Sequence, residues 1–380
     1  MKKVLIVSLK AGAGHIKAAE AVEQAIKQKS NKASKQRNNK TIKQEIIVKN
    51  VDLLEYSTIL SKKFYTQFYV DVVKYAPKFY DWLYHNIPSS STDFRLLFDR
   101  INANEFKKFI FDFDPDVTVC THFVAANIIN FWREKYGLRT KTLLTVTDYE
   151  SHSLWIDKDV DIYSVATDSV KKELTKAGIK KDRIFVTGIP IDKKFSKKYD
   201  GEKIRKKLEI DKGFTTAIFS GGFGMGPLEG VLRNIQYSIP NIQILVVAGK
   251  NIELKEKLEK IAGDNRNIKI FGFVDNIEEL MAVSDIIITK PGGLTVSESL
   301  AMGNPLIISN PIPGQEEANS KFLLKNKAAL RSDDPKGIAK LVKKVMKDKV
   351  LLKKLKTNAL KIATPNAADD VAKIVEGLLK

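Results

Sequence analysis

A histidine follows a glycine-rich turn near the start of the chain. Residues Lys10–His15 read Lys-Ala-Gly-Ala-Gly-His and come directly after a short apolar run. Glycines allow a backbone to approach a ligand closely, and a helix starting here would offer free N–H groups to an anion. A neutral imidazole at such a point is suited to take a proton from a hydroxyl. We therefore expect His15 to act as a general base; helix capping is the structural alternative.

A second motif, Lys290–Ser299, follows a predicted strand and opens a predicted helix. Its Pro-Gly-Gly makes the turn, and Thr295 would then lie at the helix start, where N–H groups and the dipole favour an anion. Glu298, three residues later, could accept two hydrogen bonds from a ribose diol. The same Thr-x-x-Glu spacing also fits a capping box, so spacing alone leaves both interpretations open.

Two further loops are suited to bind a polar ligand. Ser220–Pro227 has four glycines in six positions, which predicts close contact with a ligand, most simply phosphate, although the Walker pattern is missing. Pro311–Asn319 is polar and contains Gln315 and Glu316, whose side chains suit several sugar hydroxyls.

The elements that must position these loops follow from the alternation of apolar, β-branched runs with amphipathic helical stretches. This alternation predicts an α/β fold with two Rossmann-like, doubly wound domains that face a cleft. The predicted strands are Val4–Leu9, Glu45–Asn50, Val117–Thr121, Thr142–Val146, Ile162–Val165, Ile184–Thr187, Thr216–Ser220, Ile242–Ala248, Ile268–Phe271, Asp285–Thr289 and Pro305–Ser309.

The predicted domain boundary lies in a charged stretch that contains few apolar residues, after Ile189-Pro190-Ile191. We expect an N-terminal domain over 1–195, which binds the acceptor and a membrane, and a C-terminal nucleotide-binding domain over 196–380. The C-terminal helix is free to pack back on the first domain.

The chain carries 64 Lys+Arg against 45 Asp+Glu, a formal net charge of +19. Such a surplus attracts polyanions or anionic lipid, unless it only reflects a general lysine bias. No apolar run is long enough to span a bilayer, and the N-terminal apolar run is too short for a signal peptide. The single cysteine, Cys120, excludes an intrachain disulfide. We expect a peripheral protein at the cytoplasmic face of the membrane.

Residues Phe64–Tyr84 contain nine aromatic side chains with lysines interleaved or adjacent. This pattern is typical of an interfacial helix, and equally of an internal helix hairpin, because aromatic residues cover both faces. The candidates for acceptor or membrane contact here are Phe64, Tyr65, Phe68, Tyr69 and Trp82.

Several short blocks, taken in order, resemble the bacterial processive diacylglycerol glucosyltransferases and the plant monogalactosyldiacylglycerol synthases nearly end to end. The blocks are Gly12–His15, Thr147–Tyr149, Trp155 with Val160–Thr167, Gly188–Ile191, Ala248–Asn251, Phe271–Val274, Thr289–Thr295 and Pro313–Glu316. The resemblance implies the glycosyltransferase-B fold and inverting transfer of a hexose from a UDP-sugar to diacylglycerol, with no required metal or cofactor.

The resemblance also implies roles for individual residues. Gly14 would lie at the acceptor, His15 would be the base, and Asp148 would orient the base or the acceptor. The donor residues divide into those at the diphosphate (Gly221, Gly222, Gly292, Gly293 and Thr295), those at the uracil (Phe273 and Val274), one at the ribose (Glu298) and those at the hexose (Gln315 and Glu316). Anionic membrane lipids are the further implied partner.

Three alternatives remain open at this level. The same chemistry could use a polyprenyl-linked peptidoglycan precursor with UDP-N-acetylglucosamine, although Pro313–Glu316 favours the diacylglycerol branch. A nucleotide-sugar epimerase shares the fold but needs no membrane surface, so the aromatic segment argues against it. A nucleic-acid-binding protein would explain the net charge, but no recognition motif supports it.

Overall fold

The computed structural model describes residues 1–10, 13–35, 45–56, 104–221 and 228–380. They form two compact units: Met1–Lys193 together with Asn366–Lys380, and Lys194–Pro365. The sequence placed the boundary at 195/196, two residues later. The first unit includes the last fifteen residues of the chain.

The first unit is built on a six-stranded, all-parallel sheet in the order β2-β1-β3-β4-β5-β6. The strands are β1 Lys2–Ser8, β2 Ile46–Asp52, β3 Val117–Cys120, β4 Lys141–Thr145, β5 Ile162–Val165 and β6 Ile184–Val186. The described helices are α1 Ala13–Lys35, α2 Asn104–Phe113, α3 Phe123–Tyr136, α4 Asp168–Lys176 and, from the C-terminus of the chain, α13 Ala367–Leu378.

Alternate residues of β1 enter two different hydrophobic clusters, so this sheet is buried on both faces. Val4 and Ile6 pack with residues of α1 and α13, whereas Leu5 and Val7 pack with residues of α2 and α3. The C-terminal helix thus completes the core of the first unit, and Lys29 of α1 forms a salt bridge with Glu376 of α13 at 3.5 Å.

The second unit repeats the design with the strand order β12-β11-β10-β7-β8-β9, again all parallel. Its strands are β7 Thr215–Phe219, β8 Gln243–Val247, β9 Ile268–Phe271, β10 Ile286–Thr289, β11 Leu306–Ile308 and β12 Ala329–Arg331. Its helices are α5 Gly201–Leu208, α6 Leu228–Ser238, α7 Ile252–Ala262, α8 Ile277–Ala282, α9 Gly293–Ala301, α10 Gln315–Lys325, α11 Pro335–Lys347 and α12 Lys349–Ile362.

The predicted α/β class with two Rossmann-like domains is confirmed. All eleven predicted strands are present, with ends that differ by at most two residues. The sequence missed β12, since this three-residue edge strand, Ala-Leu-Arg, has no continuous apolar run. None of the described helices is long and apolar enough to cross a membrane.

Candidate functional sites at the two sheet edges

In each sheet, the strand order reverses beside the strand that opens the unit, and ligands of doubly wound folds bind at such points. In the first sheet β1 lies between β2 and β3. His15 follows β1 in the first turn of α1, and Thr121 comes directly after β3. The predicted base therefore lies at the switch point of its sheet.

The His15 ring is held in place by groups that follow two other strands. Its Nδ1 lies 2.9 Å from the carbonyl oxygen of Thr121 and 3.1 Å from the hydroxyl oxygen of Thr147, which follows β4. The Thr121 hydroxyl in turn donates to the His15 carbonyl oxygen at 2.9 Å. The capping interpretation is wrong, because His15 lies inside α1 and its ring reaches a neighbouring strand end.

These contacts determine which nitrogen can act as a base. A carbonyl oxygen only accepts hydrogen bonds, so Nδ1 must carry the proton, and we assign the lone pair to Nε2. Burial lowers the pKa of His15 to about 4, although the hydrogen bond to the Thr121 carbonyl acts in the opposite direction. The ring is therefore neutral at pH 7.

Two aromatic rings contact this histidine, and two more pack behind them. The His122 ring lies edge-on to His15 with a centroid separation of 4.7 Å, and Trp155 lies 6.4 Å away. Phe123 and His152 each pack on Trp155, at 5.4 and 5.8 Å. Burial, followed by the charges of His15 and His152, lowers the pKa of His122 well below its usual value. The cluster therefore favours the uncharged form of the His15 ring.

Sequence reasoning missed this cluster, since His122 and His152 are far from His15 in the chain. The signal that could have found them is their place in the loops that follow two predicted strands of one sheet: His122 comes directly after Val117–Thr121, and His152 lies six residues beyond Thr142–Val146. Both also have a local structural role, because each Nδ1 accepts a backbone N–H two residues on, from Val124 and Leu154, at 3.2 Å.

Asp148 and Gly14 lie in the same part of the first unit. Asp148 is buried and follows Thr147 directly. Gly14 is half-buried and precedes His15 in the first turn of α1. Asp52, at the end of β2, holds the backbone that follows β1, because its Oδ1 accepts the N–H of Lys10 at 3.1 Å.

The second sheet presents glycine-containing turns at its switch edge. Gly221 follows β7 with φ 71°, and Gly249 follows β8 with φ 66°, conformations that favour glycine. A side chain at Gly249 would also meet the Ser220 hydroxyl and the Gly221 carbonyl at 3.5 and 3.6 Å. The two turns are therefore close together, and glycine keeps this edge open to a ligand.

The helix after β10 begins with an uncapped N-terminus. Gly292 is the N-cap of α9 and makes no side-chain capping bond, and Gly293 is the first helical residue. Thr295 consequently lies inside the first turn, with Glu298 one turn further along. The capping-box interpretation is wrong, and the first N–H groups of α9 are left for an anion.

Glu316, in the first turn of α10, braces the loop after β11 against this helix start. Its Oε2 accepts the N–H of Ile312 at 2.7 Å. A methyl group at Gly292 would lie 4.0 Å from its Oε1. Burial raises the pKa of Glu316, while the N–H of Ile312 and the charge of Lys290 lower it. Asn319 on the same helix is buried and donates to the Pro291 carbonyl at 3.0 Å.

Sequence reasoning also missed Lys290, although it begins the motif. Its side chain is half-buried, and burial lowers its pKa, while the charge of Glu316 opposes that shift. It forms no salt bridge or side-chain hydrogen bond with any residue that the structure describes. A partly desolvated ammonium beside an uncapped helix N-terminus places two positive features together, a combination that favours an anionic ligand.

The other predicted donor residues of the second unit lie after β9 and β11. Phe273 is 61 % exposed, and the Nζ of Lys250 lies 5.4 Å from its ring centroid. Val274 is half-buried beside it, and Gln315 is the first residue of α10, after Gly314 with φ 83°. These residues belong to the same strand-end edge as Gly221 and Gly292.

Six predicted site residues lie outside the described residues: Gly222, Phe64, Tyr65, Phe68, Tyr69 and Trp82. Within the described ranges, no three His, Cys, Asp or Glu side chains are grouped to hold a metal ion.

Comparison with known proteins decides the family. The family model "Monogalactosyldiacylglycerol (MGDG) synthase" matches residues 15–191, and "Glycosyl transferases group 1" matches residues 200–362. The processive diacylglycerol beta-glucosyltransferase of Bacillus cytotoxicus is 30 % identical over 98 % of this chain and 93 % of its own length. The protein of that name from Bacillus thuringiensis strain Al Hakam is also 30 % identical, over 97 % and 92 %. The chain belongs to this diacylglycerol glucosyltransferase family.

Solved structures agree on the fold of the family. MurG of Acinetobacter baumannii has a TM-score of 0.60 at 16 % identity and covers 99 % of this chain, with all of its own chain covered. The UDP co-structure of MnaA from S. aureus has a TM-score of 0.65 at 14 % identity, over 100 % and 97 % of the two chains. This chain, a member of the diacylglycerol glucosyltransferase family, therefore has the predicted glycosyltransferase-B fold.

Proposed function

We propose that this enzyme transfers a hexose, glucose in the first instance, from a UDP-sugar to the hydroxyl of diacylglycerol with inversion at the anomeric carbon. The observation that carries the proposal is the state of His15. It is a neutral histidine at the switch point of the first sheet, with Nδ1 bound to the Thr121 carbonyl and the lone pair on Nε2. Such a group is suited to remove a proton from an alcohol.

At the first sheet edge, Nε2 of His15 takes the proton of the acceptor hydroxyl as its oxygen attacks the anomeric carbon. The new bond is the glycosidic C–O bond, and the bond from that carbon to the diphosphate oxygen breaks. UDP leaves with the electron pair. Thr121 and Thr147 hold the ring in the tautomer that this step requires, and Asp148 orients the base or the acceptor.

At the second sheet edge, the backbone and a few charges bind the donor. Gly221 and the first turn of α9, from Gly293 to Thr295, face the diphosphate, and Gly222 is assigned to it from the sequence motif alone. The ammonium of Lys290 stabilises the negative charge that develops on the leaving UDP.

Other donor residues bind the rest of the nucleotide sugar. The backbone at Phe273 and Val274 holds the uracil, and Glu298 accepts the ribose hydroxyls. Gln315 and the free Oε1 of Glu316 accept or donate hydrogen bonds at the hexose, while Oε2 stays on the Ile312 N–H. No metal ion takes part in this scheme.

The acceptor is a membrane lipid, so we further propose that the enzyme works as a peripheral protein at the cytoplasmic face of the membrane and that anionic lipids are its partners. Basic residues next to an anionic leaflet are each worth about 1 kcal/mol.

The test is to incubate purified protein with diacylglycerol in anionic-lipid micelles and radiolabelled UDP-glucose or UDP-galactose, followed by lipid separation. We expect labelled glycolipid, with UDP-glucose the better donor, and a β-linked product from an α-linked donor. An α-linked product would refute inversion. UDP binding without any lipid product would refute diacylglycerol as the acceptor.

A further inference from the structure

The net positive charge of the second half of the chain is concentrated in 28 residues. Residues 196–380 contain 31 basic and 22 acidic residues, and residues 335–362 alone contain ten lysines and one acid. The remainder of that half carries 21 basic and 21 acidic residues and is neutral. A general lysine bias would have spread the surplus, so these two consecutive helices, α11 and α12, differ from their surroundings.

The five lysines of α11 lie in one stripe. They occupy positions i, i+4, i+7, i+8 and i+11, which share one face of an α-helix, and all five are exposed. They are Lys336, Lys340, Lys343, Lys344 and Lys347. The opposite face is buried in the core of the second unit through Ile338, Ala339, Val342 and Val345. The orientation of the stripe towards solvent is therefore fixed by core packing.

The exposed face of α12 combines charge with apolar side chains. Lys349, Lys353, Lys354 and Lys361 are exposed on it. Two large apolar residues lie among them: Val350 is 79 % exposed and Leu360 is 57 % exposed. The fifth lysine of this helix, Lys356, is instead half-buried and forms a salt bridge with Asp285 at 3.0 Å.

None of these nine exposed lysines forms a salt bridge with a residue that the structure describes. Both acids beside them are used at helix starts instead: Asp334 accepts the N–H of Gly337 and Asp348 that of Leu351, each at 2.8 Å.

Helix α7 of the same unit provides a contrast, because it has three lysines and three glutamates. Two of its lysines are paired, Lys255 with Glu259 at 2.8 Å and Lys257 with Glu229 at 4.0 Å. The charges of α7 are thus balanced and partly paired, whereas nine of the ten lysines on α11 and α12 form no salt bridge with a described residue.

We propose that the exposed lysines of α11 and α12, together with Val350 and Leu360, form a docking face for an anionic lipid bilayer. Nine unpaired positive charges repel one another unless an extended negative surface faces them, and an anionic leaflet is such a surface. Exposed apolar side chains among the lysines favour lipid over nucleic acid, since they can enter the boundary between headgroups and acyl chains.

The proposal rests on the proposed function only in that the acceptor is a membrane lipid. It places a membrane contact on the donor-binding unit, whereas the sequence pattern had directed attention to Phe64–Tyr84 in the first unit.

The experiment measures binding of the full chain to sedimented vesicles of phosphatidylcholine with and without phosphatidylglycerol, at low and at physiological salt. The test variant reverses four charges, K340E/K343E/K349E/K353E, and a second variant is Val350→Asp. We expect the fourfold variant to bind anionic vesicles at least about tenfold more weakly and to lose most of the salt dependence. Val350→Asp should weaken binding about two- to fivefold.

The control variant, K257E/K260E, reverses exposed lysines on α7, and we compare it with the double variant K340E/K343E, which has the same change in net charge. If the two double variants lose equal affinity for anionic vesicles, the proposal is overturned, because vesicle binding would then depend on overall net charge. Retained vesicle binding in the fourfold variant, with loss of binding to a labelled DNA duplex, would overturn it in favour of nucleic acid.

A second assay separates this proposal from the proposed function. With a short-chain diacylglycerol dispersed in neutral detergent, the fourfold variant should keep wild-type turnover, while its turnover on anionic vesicles falls about tenfold or more. If the fourfold variant loses the same share of turnover in detergent as on vesicles, the docking role is contradicted. Absence of any glycolipid from the wild-type protein would refute the reaction and leave the vesicle-binding result to decide the docking face.

Discussion

The edges of the two sheets have the same architecture and opposite chemistry. The edge of the first sheet surrounds one histidine with aromatic rings, one carbonyl and one hydroxyl, so that burial keeps His15 neutral. The edge of the second sheet has glycine turns, the uncapped N-terminus of α9, and the partly buried Lys290 and Glu316.

Under the proposed function, this difference lets one fold support two tasks, proton removal and diphosphate binding. A proton acceptor needs an uncharged resting state, and aromatic packing disfavours the imidazolium. A diphosphate needs positive potential that is already in place, and backbone N–H groups with a desolvated ammonium supply it without reorganisation. The predictions below test this division of labour from its largest expected effect to its smallest.

Replacement of His15 by Ala should remove the proton acceptor and reduce turnover about 10²–10⁴-fold. Turnover is measured as glycolipid formed per enzyme with saturating donor. The matched control is His152→Asn, which alters a histidine of the same cluster but keeps a side chain able to accept the Leu154 N–H. Turnover in His15→Ala equal to that of the control would contradict the role of His15.

Replacement of Lys290 by Met should keep much of the packing of the aliphatic part of the side chain but remove the positive charge beside the N-terminus of α9. We expect a fall in kcat of about 10²-fold, because charge develops on the leaving UDP in the transition state. UDP should also bind more weakly. Lys260→Met, an exposed lysine on α7, is the control; a Lys290→Met enzyme as active as this control would show that Lys290 does not face the diphosphate.

The stability of the first unit should depend on pH through His15. Its folded pKa of about 4 lies below the unfolded value of 6.5. The unfolded state therefore binds more protons between these values. The stabilisation is complete above pH 6.5 and is lost as pH falls towards 4.

Between about pH 7 and about pH 5 this contribution amounts to about 2 kcal/mol in the free energy of unfolding. Urea titrations at the two pH values measure it, with tryptophan fluorescence as the probe, since all three tryptophans lie in residues 1–193. His15→Gln should reduce the pH dependence by that amount. A pH dependence unchanged by the substitution would show that His15 is not buried in its neutral form.

The smallest expected effect is that of Thr147→Val, which removes one of the two oxygens near Nδ1 of His15. Turnover should fall less than about tenfold, because the Thr121 carbonyl still accepts the proton of Nδ1. Thr145→Val is a matched control, since the buried Thr145 hydroxyl has no hydrogen-bond partner among the described residues. A larger loss from Thr145→Val than from Thr147→Val would mean that the hydroxyl at Thr147 does not position the base.

The sequence predicted the strands and the loops that follow them because buried parallel strands are continuous apolar runs and the turns after them need glycine. It could not predict the partners of His15, since Thr121 and Thr147 are identified only once the strand order places their strand ends near β1. Thr121 acts through a backbone carbonyl, which every residue possesses.

Lys290 and the extent of the basic face were missed for a related reason. The sequence counts a lysine as charge, whereas desolvation at Lys290 and the shared face of the α11 lysines depend on packing. The spacing of Thr295 and Glu298 matched a capping box, but the helix begins at Gly293, so Thr295 lies inside the helix and cannot be its N-cap.

The measurement that tests the division of labour most directly is calorimetric titration of UDP into His15→Ala beside the wild-type protein. If the first sheet edge only handles the proton and the second binds the nucleotide, the Kd for UDP should stay within about twofold while glycolipid formation is lost. A Kd for UDP that weakens about tenfold or more in a folded His15→Ala protein would contradict the account, because His15 would then be part of the nucleotide site.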